Sequence, residues 1–319
     1  MLLRVTPSGL YCEAGDFFID PWRAVDFAVI THAHSDHARG GSRRYLAAAP
    51  GCGVLQERLG AQARIEALPY GQSVTRHGVR ISLHPAGHIL GSAQVRVEQR
   101  GEVWVVSGDY KLEAEPTCAP FEPVRCHTFI TESTFGLPIY RWRPQAEIFR
   151  DIDAWWQTNR AAGRASVLFA YSLGKAQRVL AGVDASIGSI FVHAAVAKLL
   201  PHYAAAGVRL PAVNGGDAEG ALVVTPSAAE DAAWLKKFGE TSTAFASGWM
   251  QLRGARRRQA LDRGFALSDH ADWPGLLTAI RATGAERVWV THGSTAPMVR
   301  WLRENGWDAA ALATRFGDE

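Results

Sequence analysis

The sequence has little cysteine and no long apolar run. Only four of its 319 residues are cysteines, and none of them forms a CxxC pair, so the sequence favours neither a disulfide framework nor a cysteine-based zinc site. No apolar run approaches the roughly 20 residues of a membrane-spanning helix. A charge and a Pro-Ser-Gly turn precede any run of signal-peptide length. The sequence therefore predicts a cytoplasmic protein without a membrane segment.

The charge balance is nearly even. The 34 Lys and Arg residues against 31 Asp and Glu residues give a formal charge of +3, which neither requires nor excludes an anionic partner. Any case for nucleic acid binding must therefore come from local clusters of charge. With 47% hydrophobic residues, a chain of this length can bury one large core or two smaller ones, since chains beyond roughly 250 to 300 residues tend to split into domains.

The pattern of apolar runs changes twice along the chain. Up to about Glu132 the sequence consists of short β-branched runs separated by turns. From about Tyr140 to Gly254 such runs alternate with helix-like stretches, which is typical of a parallel sheet with its own helices. After Gly254, strand and helix patterns alternate in a further segment. The middle segment is therefore expected to form a separate unit.

The strongest chemical signal follows the apolar run Phe27 to Ile30 and consists of Thr31-His32-Ala33-His34-Ser35-Asp36-His37. Because they are two residues apart on an extended segment, His32 and His34 project to the same side. Asp36 and His37 follow where the chain must turn. Imidazole and carboxylate ligands without thiolate suit hydrolytic zinc or manganese better than a closed structural zinc site. The sequence therefore predicts a metal centre at the end of this strand.

This HxHxDH string resembles the ligand motif of the metallo-β-lactamase superfamily, and three further positions match the rest of that pattern. Asp20, in Phe-Ile-Asp-Pro, is similar to the strand-end aspartate that orients the ligand loop. His88, in Gly-His-Ile-Leu-Gly, is similar to the third histidine, and Asp109 is similar to the aspartate that bridges two metal ions. An aspartate after a strand is often only a turn former, so it is the order and spacing of these positions that carry the resemblance.

The residues after Asp109 resemble the β-CASP nucleases within that superfamily. Glu132 lies in Thr-Glu-Ser-Thr-Phe-Gly, His270 in Leu-Ser-Asp-His-Ala-Asp and His292 in Val-Thr-His-Gly, which are similar to motifs A, B and C of those nucleases. The resemblance covers essentially the whole chain. It implies an α/β protein in which a four-layer αββα metallo-β-lactamase fold is interrupted by a Rossmann-like β-CASP domain, with the active site in the cleft between them. The expected boundaries are 1–140 and 255–319 for the metallo-β-lactamase domain and 141–254 for the insert.

The same resemblance implies two divalent metal ions, zinc or manganese, and assigns their ligands. Asp109 bridges the two ions, one of which is held by His32, His34 and His88 and the other by Asp36, His37 and His292. Two such ions activate water and neutralise the charge that develops on a phosphodiester during hydrolysis. The general acid that the resemblance implies is His270, which Glu132 keeps oriented and able to carry a proton.

Substrate contacts are expected mainly in the insert. The turn from Tyr171 to Gln177 resembles the first strand-to-helix turn of β-CASP domains, and the turn from Ala246 to Met250 resembles their small-residue turn near the substrate phosphate. An arginine-rich segment from Arg253 to Arg263 is either a phosphate track or a solvated face. The tryptophans, Trp249 included, are expected to serve mainly in packing. The expected substrate-binding residues are Ser172, Lys175, Ser247, Gly248, Arg253, Arg256 and Arg257.

Within the family, the local sequence is most similar to the bacterial ligase-associated DNA exonucleases. The similar stretches include the opening Pro-Ser-Gly-Leu-Tyr-Cys and the Phe-Ala-Ser-Gly-Trp-Met near the end of the insert. This resemblance implies an exonuclease that acts on single-stranded DNA ends in DNA repair, alongside an ATP-dependent DNA ligase and a helicase. At motif C, however, His292 is the residue associated with RNA-processing members.

Three alternatives remain open from the sequence. A ribonuclease of the same architecture, with RNA as its partner, is favoured by His292. A non-catalytic nucleic-acid-binding subunit is disfavoured, because such members lose ligands and this chain has the full set together with Glu132 and His270. A small-molecule thioester or lactam hydrolase would lack motifs A and B around an insert.

Overall fold

The chain forms a mixed α/β structure with three β-sheets among the residues that are described. The computed structural model describes residues 1–227, 232–252 and 261–312. It divides into two compact units. The first unit comprises Met1–Arg141 and His270–Glu319, and the second comprises Trp142–Asp269.

The described strands are β1 (Arg4–Thr6), β2 (Gly9–Cys12), β3 (Phe17–Ile19), β4 (Phe27–Val29), β5 (Arg44–Ala48), β6 (Ile65–Leu68), β7 (Ser73–Arg76), β8 (Val79–Pro85), β9 (Ala93–Gln99), β10 (Glu102–Val106), β11 (Thr128–Ser133), β12 (Ala165–Phe169), β13 (Ile190–Val192), β14 (Leu222–Thr225), β15 (Thr241–Ala246), β16 (Arg263–Phe265), β17 (Arg287–Gly293) and β18 (Asp308–Ala311). The described helices are α1 (Cys52–Leu59), α2 (Gln145–Ala161), α3 (Lys175–Gly182), α4 (Ala194–Ala197), α5 (Leu200–Ala205), α6 (Ala232–Leu235), α7 (Trp273–Thr283) and α8 (Thr295–Glu304). Among these helices, none is both long enough and apolar enough to cross a membrane.

Two sheets form the first unit. One has the strand order β1-β2-β3-β4-β5-β6, antiparallel from β1 to β3 and parallel from β3 onward. The other has the order β18-β17-β11-β10-β9-β8-β7, in which β10, β11, β17 and β18 run parallel. Because the carboxyl ends of parallel strands meet at one edge of a sheet, the segments that follow β10, β11 and β17 leave the second sheet at the same edge.

The second sheet of this unit is buried on both faces, which its sequence explains. Successive side chains of a strand point to opposite faces. Trp104 and Val106 of β10 accordingly pack with Val29 and Leu46 of the first sheet in one core. The alternate residues of β10 pack in another core with apolar side chains of α7 and α8, which include Leu276, Ile280, Met298 and Leu302. The unit is therefore held by one core between its sheets and another beneath two helices.

The second unit is built on a parallel sheet with the strand order β13-β14-β12-β15-β16. Its strands are short runs of buried residues, as expected when helices cover both faces of a parallel sheet. Apolar side chains of α2 and α3, among them Trp156 and Val179, pack against β12 and β14. The indole nitrogen of Trp156 donates a hydrogen bond to the Gly220 carbonyl at 2.9 Å.

The second unit ends later in the chain than the boundary expected for the insert. The sequence pattern places that boundary after residue 254, whereas the compact unit continues to Asp269. The reason is β16, which pairs in parallel with β15 and so belongs to the sheet of the second unit. The identity of these units with the expected domains stays a prediction.

Candidate metal centre and active site

The candidate metal ligands lie in the first unit, just beyond strand ends. The segment His32 to His37 follows β4, and Asp109 follows β10. His88 lies in the turn between β8 and β9, and His292 lies near the end of β17. The parallel arrangement of β10, β11 and β17 explains why residues so distant in sequence reach one place.

Three histidines and one carboxylate form the first ligand group. His34 Nδ1 lies 3.1 Å from His32 Nε2 and 3.1 Å from His88 Nε2. Asp109 Oδ2 lies 3.4 Å from His32 Nε2 and 3.7 Å from His88 Nε2. Four ligands placed about 2.0–2.1 Å from a tetrahedral zinc ion would be roughly 3.3–3.4 Å apart. The spacing of these four atoms therefore fits a single ion.

Asp109 also belongs to a second group. His37 Nε2 lies 3.5 Å from Asp109 Oδ1 and 3.5 Å from Asp36 Oδ2, and His292 offers a further nitrogen to His37 and Asp109. His37 Nε2 is buried and has no hydrogen-bond partner among the described residues. A buried polar atom left without a hydrogen bond is costly, and coordination of a cation would satisfy it.

The electrostatics of both groups favour cation binding. Burial lowers the pKa of His32 well below its ordinary value and lowers the pKa of His292, so both rings are neutral and able to coordinate. Burial would raise the pKa of Asp109, but His37, His270 and His32 hold it well below its ordinary value. Burial would also lower the pKa of His37, yet Asp109 and Asp20 raise it to about 10. Negative charge is thus concentrated where a divalent ion would neutralise it.

Asp20 contacts the segment that holds four of the candidate ligands. Its Oδ2 lies 2.7 Å from His37 Nδ1, which leaves Nε2 of that ring directed at Asp109 and Asp36. The backbone N–H and the hydroxyl of Thr31 donate to the two oxygens of Asp20 at 2.8 and 2.5 Å. Asp20 has a left-handed backbone, with φ of 43°. A carboxylate that fixes the other nitrogen of a coordinating histidine is a common support for metal sites.

His292 is held by an unusual backbone at the end of β17. His292 and Gly293 have φ of 54° and 68°, both in the left-handed region, which costs a non-glycine residue of order 1–3 kcal/mol. A Cβ atom on Gly293 would lie 2.5 Å from the Ser133 carbonyl oxygen. The Ser133 hydroxyl in turn donates a hydrogen bond to the His292 carbonyl. Only glycine fits after His292, and Ser133 secures the strained turn.

Glu132 and His270 form a separate pair beside these groups. His270 Nδ1 lies 2.9 and 3.0 Å from the two carboxylate oxygens of Glu132, which is 1% exposed. The Tyr110 N–H and the Thr134 hydroxyl donate to the same carboxylate at 2.8 and 2.5 Å. The pair adjoins the first ligand group, since the rings of His270 and His88 are 4.7 Å apart between centroids. The carboxylate of Glu132 thus faces the Nδ1 side of the His270 ring and fixes the orientation of that ring.

Sequence reasoning missed several residues that support this site. Thr31, Tyr110, Ser133 and Thr134 each hold Asp20, Glu132 or the backbone of His292 in place. Three of these residues lie directly beside a predicted site residue, and Ser133 and Thr134 belong to the motif around Glu132. Their position beside predicted site residues was the available indication in the sequence. Small hydroxyl side chains are too common in loops for that position alone to identify them.

The predicted substrate-binding residues of the second unit differ in accessibility. The Lys175 side chain is 2% exposed, and its ammonium donates to the Leu267 carbonyl at 2.9 Å and to Asp269 at 2.7 Å. Ser247 is buried, and its hydroxyl accepts the Trp249 N–H at 3.4 Å. Ser172 is half-buried, Gly248 is buried beside Ser247, and Arg253, Arg256 and Arg257 lie outside the described residues. The Lys175 ammonium is therefore already engaged within the protein, which argues against a direct substrate contact.

Trp249 differs from its expected packing role. Its side chain is 37% exposed, and Tyr171 is 57% exposed. Tyr171 follows β12 and Trp249 follows β15, which are parallel neighbours in the sheet of the second unit. The two aromatic rings are therefore placed at the same edge of that sheet.

Comparison with known proteins finds no protein-family model that matches the chain. A probable DNA ligase from Opitutus terrae is 32% identical over 310 residues, which cover 95% of this chain and 30% of that protein. The endoribonuclease YSH1 of Eremothecium gossypii is 28% identical over 166 residues, and that of Schizosaccharomyces pombe is 32% identical over 131 residues. These cover 51% and 40% of this chain. The chain thus spans less than a third of the length of each of these relatives.

A solved structure is similar to almost the whole fold. A crystal structure of a protein of unknown function from Enterococcus faecalis aligns with a TM-score of 0.59 over 91% of this chain and 79% of its own, at 10% sequence identity. At this identity the similarity concerns the fold alone.

Proposed function

Because the chain belongs to the β-CASP family of metallo-β-lactamase-fold nucleases, we propose that it is a metal-dependent nuclease that hydrolyses phosphodiester bonds in single-stranded DNA. The observation that carries this proposal is the position of Asp109. One of its carboxylate oxygens faces His32 and His88, and the other faces His37. One carboxylate shared between two histidine groups would allow two metal ions to be held close together, as in two-metal hydrolases.

The proposed ligands are those that the sequence predicts. His32, His34 and His88 would hold one ion, Asp36, His37 and His292 would hold the other, and Asp109 would contact both. Two divalent ions would supply a lowered pKa for the attacking water and positive charge against the phosphoryl oxygens. Imidazole and carboxylate ligands are compatible with zinc and with manganese.

The pair of Glu132 and His270 is proposed to protonate the leaving group. The oxygen that leaves the phosphorus carries negative charge and needs a proton. His270 is proposed to donate it from Nε2, since Glu132 accepts the N–H at the opposite side of the ring. Four hydrogen-bond contacts to the Glu132 carboxylate hold this acceptor rigid. Glu132 is therefore proposed to fix the orientation of the His270 ring.

The proposal of DNA as substrate and of an exonucleolytic mode rests on similarity. The probable DNA ligase matches 95% of this chain, and the local sequence resembles ligase-associated DNA exonucleases. We further propose that the protein acts in DNA repair alongside an ATP-dependent ligase and a helicase. By the same family argument, the two compact units are proposed to be the four-layer metallo-β-lactamase domain and its β-CASP insert.

A ribonuclease of the same type is the second candidate. It is favoured by endoribonucleases among the relatives, such as those of Eremothecium gossypii and Schizosaccharomyces pombe, and by His292, the residue associated with RNA-processing members. The geometry of the site supports hydrolysis of either polymer, since both present the same phosphodiester. The two candidates therefore differ in substrate and share one mechanism.

The exposed aromatic residues of the second unit support a single-stranded substrate. β12 continues through α3 toward β13, whereas its neighbour β15 continues to β16 on the other side. Ligands of parallel sheets bind where neighbouring strands lead away in opposite directions. Tyr171 and Trp249 lie at that edge, and aromatic rings bind single strands by stacking on bases.

If Tyr171 and Trp249 stack on bases of the substrate, loss of either ring should weaken binding of single-stranded DNA. Loss of one stacked base costs about 1–3 kcal/mol, so Tyr171→Ala and Trp249→Ala are each expected to weaken binding of an oligodeoxythymidine about 5- to 150-fold. Fluorescence anisotropy in a His270→Ala background would measure binding with little cleavage. Trp249→Phe, which keeps a ring, is the matched control and should retain most of the affinity. Unchanged affinity in both alanine variants would contradict the stacking.

The proposed function is tested by a gel assay on matched single-stranded DNA and RNA. Each polymer is labelled at the 5′ end in one set and at the 3′ end in the other, and zinc, manganese and a chelator are compared. Release of labelled mononucleotide from DNA, abolished by chelator, is the expected result. Cleavage of RNA alone would favour the ribonuclease over the DNA exonuclease. If neither polymer is hydrolysed with any of the metals, the proposed function is wrong.

A further inference from the structure

Two cations of α3 are buried within the second unit. Lys175 and Arg178 are each 1% exposed, although they lie in the first turn of the helix. Fully buried Lys and Arg residues are rare unless their charges are paired. Their burial therefore indicates a specific partner within the fold.

The partners of Lys175 and Arg178 include three consecutive residues, Leu267 to Asp269. The Lys175 ammonium donates to the Leu267 carbonyl at 2.9 Å and to the Asp269 carboxylate at 2.7 Å. The Arg178 guanidinium donates to the Ser268 carbonyl at 3.1 Å. The same Arg178 nitrogen also approaches Gln145 Oε1 of α2 at 3.3 Å. Lys175 and Arg178, which are three residues apart on α3, thus bind the carbonyls of Leu267 and Ser268 and the carboxylate of Asp269.

The segment from 266 to 269 has no regular secondary structure, since β16 ends at Phe265 and α7 begins only at Trp273. In place of strand partners, its carbonyls at 267 and 268 accept from the side chains of α3. The N-terminus of α3 is itself fixed, because Gln177 accepts the Gly174 N–H at 2.7 Å and donates to the Ser172 carbonyl at 3.0 Å. The segment is therefore tied to a rigid helix end.

The residue that follows this segment is His270. From these contacts we propose that Lys175 and Arg178 are positioning residues, which fix the backbone of Leu267 to Asp269 and thereby set where the His270 ring emerges. This inference rests on the proposed function, in which His270 donates the proton to the leaving oxygen. It replaces the expectation that Lys175 binds a substrate phosphate.

A defect that acts through the general acid has a specific signature. An ordinary nucleotide leaves as an alkoxide that requires a proton, whereas p-nitrophenolate is stable without one. In Lys175→Met, kcat on a short oligodeoxynucleotide is expected to fall at least tenfold with little change in KM. On bis(p-nitrophenyl) phosphate, kcat should fall less than threefold. Equal losses on the two substrates would show a general structural defect and overturn the inference.

Folding and charge require separate controls. Removal of one partner of a buried ion pair leaves the other charge uncompensated and is strongly destabilising, so Lys175→Met is paired with the neutral double variant Lys175→Met/Asp269→Asn. Both should retain the wild-type metal content by elemental analysis and show the same leaving-group signature. Arg143→Met is the matched control, because Arg143 is an exposed cation of the same unit with two ion pairs. It should behave as the wild type does.

Hydrogen exchange tests the inference without any activity. In Lys175→Met and Arg178→Met, the peptide that spans Leu267 to Asp272 is expected to exchange at least tenfold faster, while peptides of β12 and β14 exchange as in the wild type. Unchanged exchange in that peptide would overturn the inference. A wild type that hydrolyses neither substrate would overturn the proposed function alone, because the exchange result stands by itself.

Discussion

The shared carboxylate of Asp109 provides a sharp test of the metal centre. Replacement by asparagine keeps the size of the side chain but removes the charge that faces both histidine groups at 3.4–3.7 Å. Since each ion would lose a ligand, Asp109→Asn is expected to bind neither ion tightly. Asp36 approaches His37 of the second group and is a proposed ligand of that ion alone, so Asp36→Asn should lose one of the two ions.

The size of the effect follows from linkage. At a free metal concentration 100 times the dissociation constant, each ion stabilises the folded state by about 2.7 kcal/mol, or about 5 kcal/mol for two. A shift of about 2–4 °C per kcal/mol for units of 150–250 residues then gives a chelator-induced drop in Tm of about 10–20 °C for the wild type. Asp36→Asn should show roughly half of this drop, and Asp109→Asn almost none.

The assay combines thermal unfolding, with and without chelator, and elemental analysis of the dialysed protein. Asp26→Asn is the control, because Asp26 is an exposed aspartate that pairs with Arg43 and Arg44 on the surface. It should retain both ions and the full drop in Tm. Two ions bound to Asp109→Asn, with the wild-type response to chelator, would refute the shared-carboxylate arrangement.

Three further predictions concern single residues of the site. His270→Ala is expected to lower kcat by about 10²- to 10⁴-fold with unchanged metal content, and loss of metal on elemental analysis would assign it a ligand role instead. Asp20→Asn should weaken metal binding about 10- to 100-fold, measured by competition with a chelating dye, because His37 loses its orienting acceptor. Gly293→Ala should destabilise the fold by at least about 1–3 kcal/mol in urea unfolding, and wild-type stability would show that the Ser133 contact relaxes freely.

The sequence alone could group those candidate residues that are close along the chain. His32, His34, Asp36 and His37 lie within six residues, so the spacing alone brings them together. Asp20 contacts Thr31 and His37 because β3 and β4 are parallel neighbours, and no local pattern specifies that pairing. The support of Glu132 by the Tyr110 N–H is equally invisible, since it depends on the parallel pairing of β10 with β11.

Lys175 shows why the burial of a side chain is harder to predict from the sequence than its chemical type. A lysine after a glycine turn at the start of a helix is typical of a phosphate-binding position. Its burial depends on Leu267 and Asp269, more than 90 residues later in the chain. The compact second unit also extends past residue 254, the expected end of the insert, because β16, a strand of only three residues, pairs with β15.

The pairing of β11 with β17 has a consequence for biosynthesis. β17 lies between β11 and β18, and the hydrogen bond from Ser133 to His292 joins residues 159 positions apart. A ribosome must therefore translate the whole second unit before the first can complete its sheet. Non-local pairing of this kind slows folding and leaves strand edges exposed in the meantime. His292 is also the last of the seven proposed ligands to be made, so a chain halted before β17 would have only part of the proposed metal site.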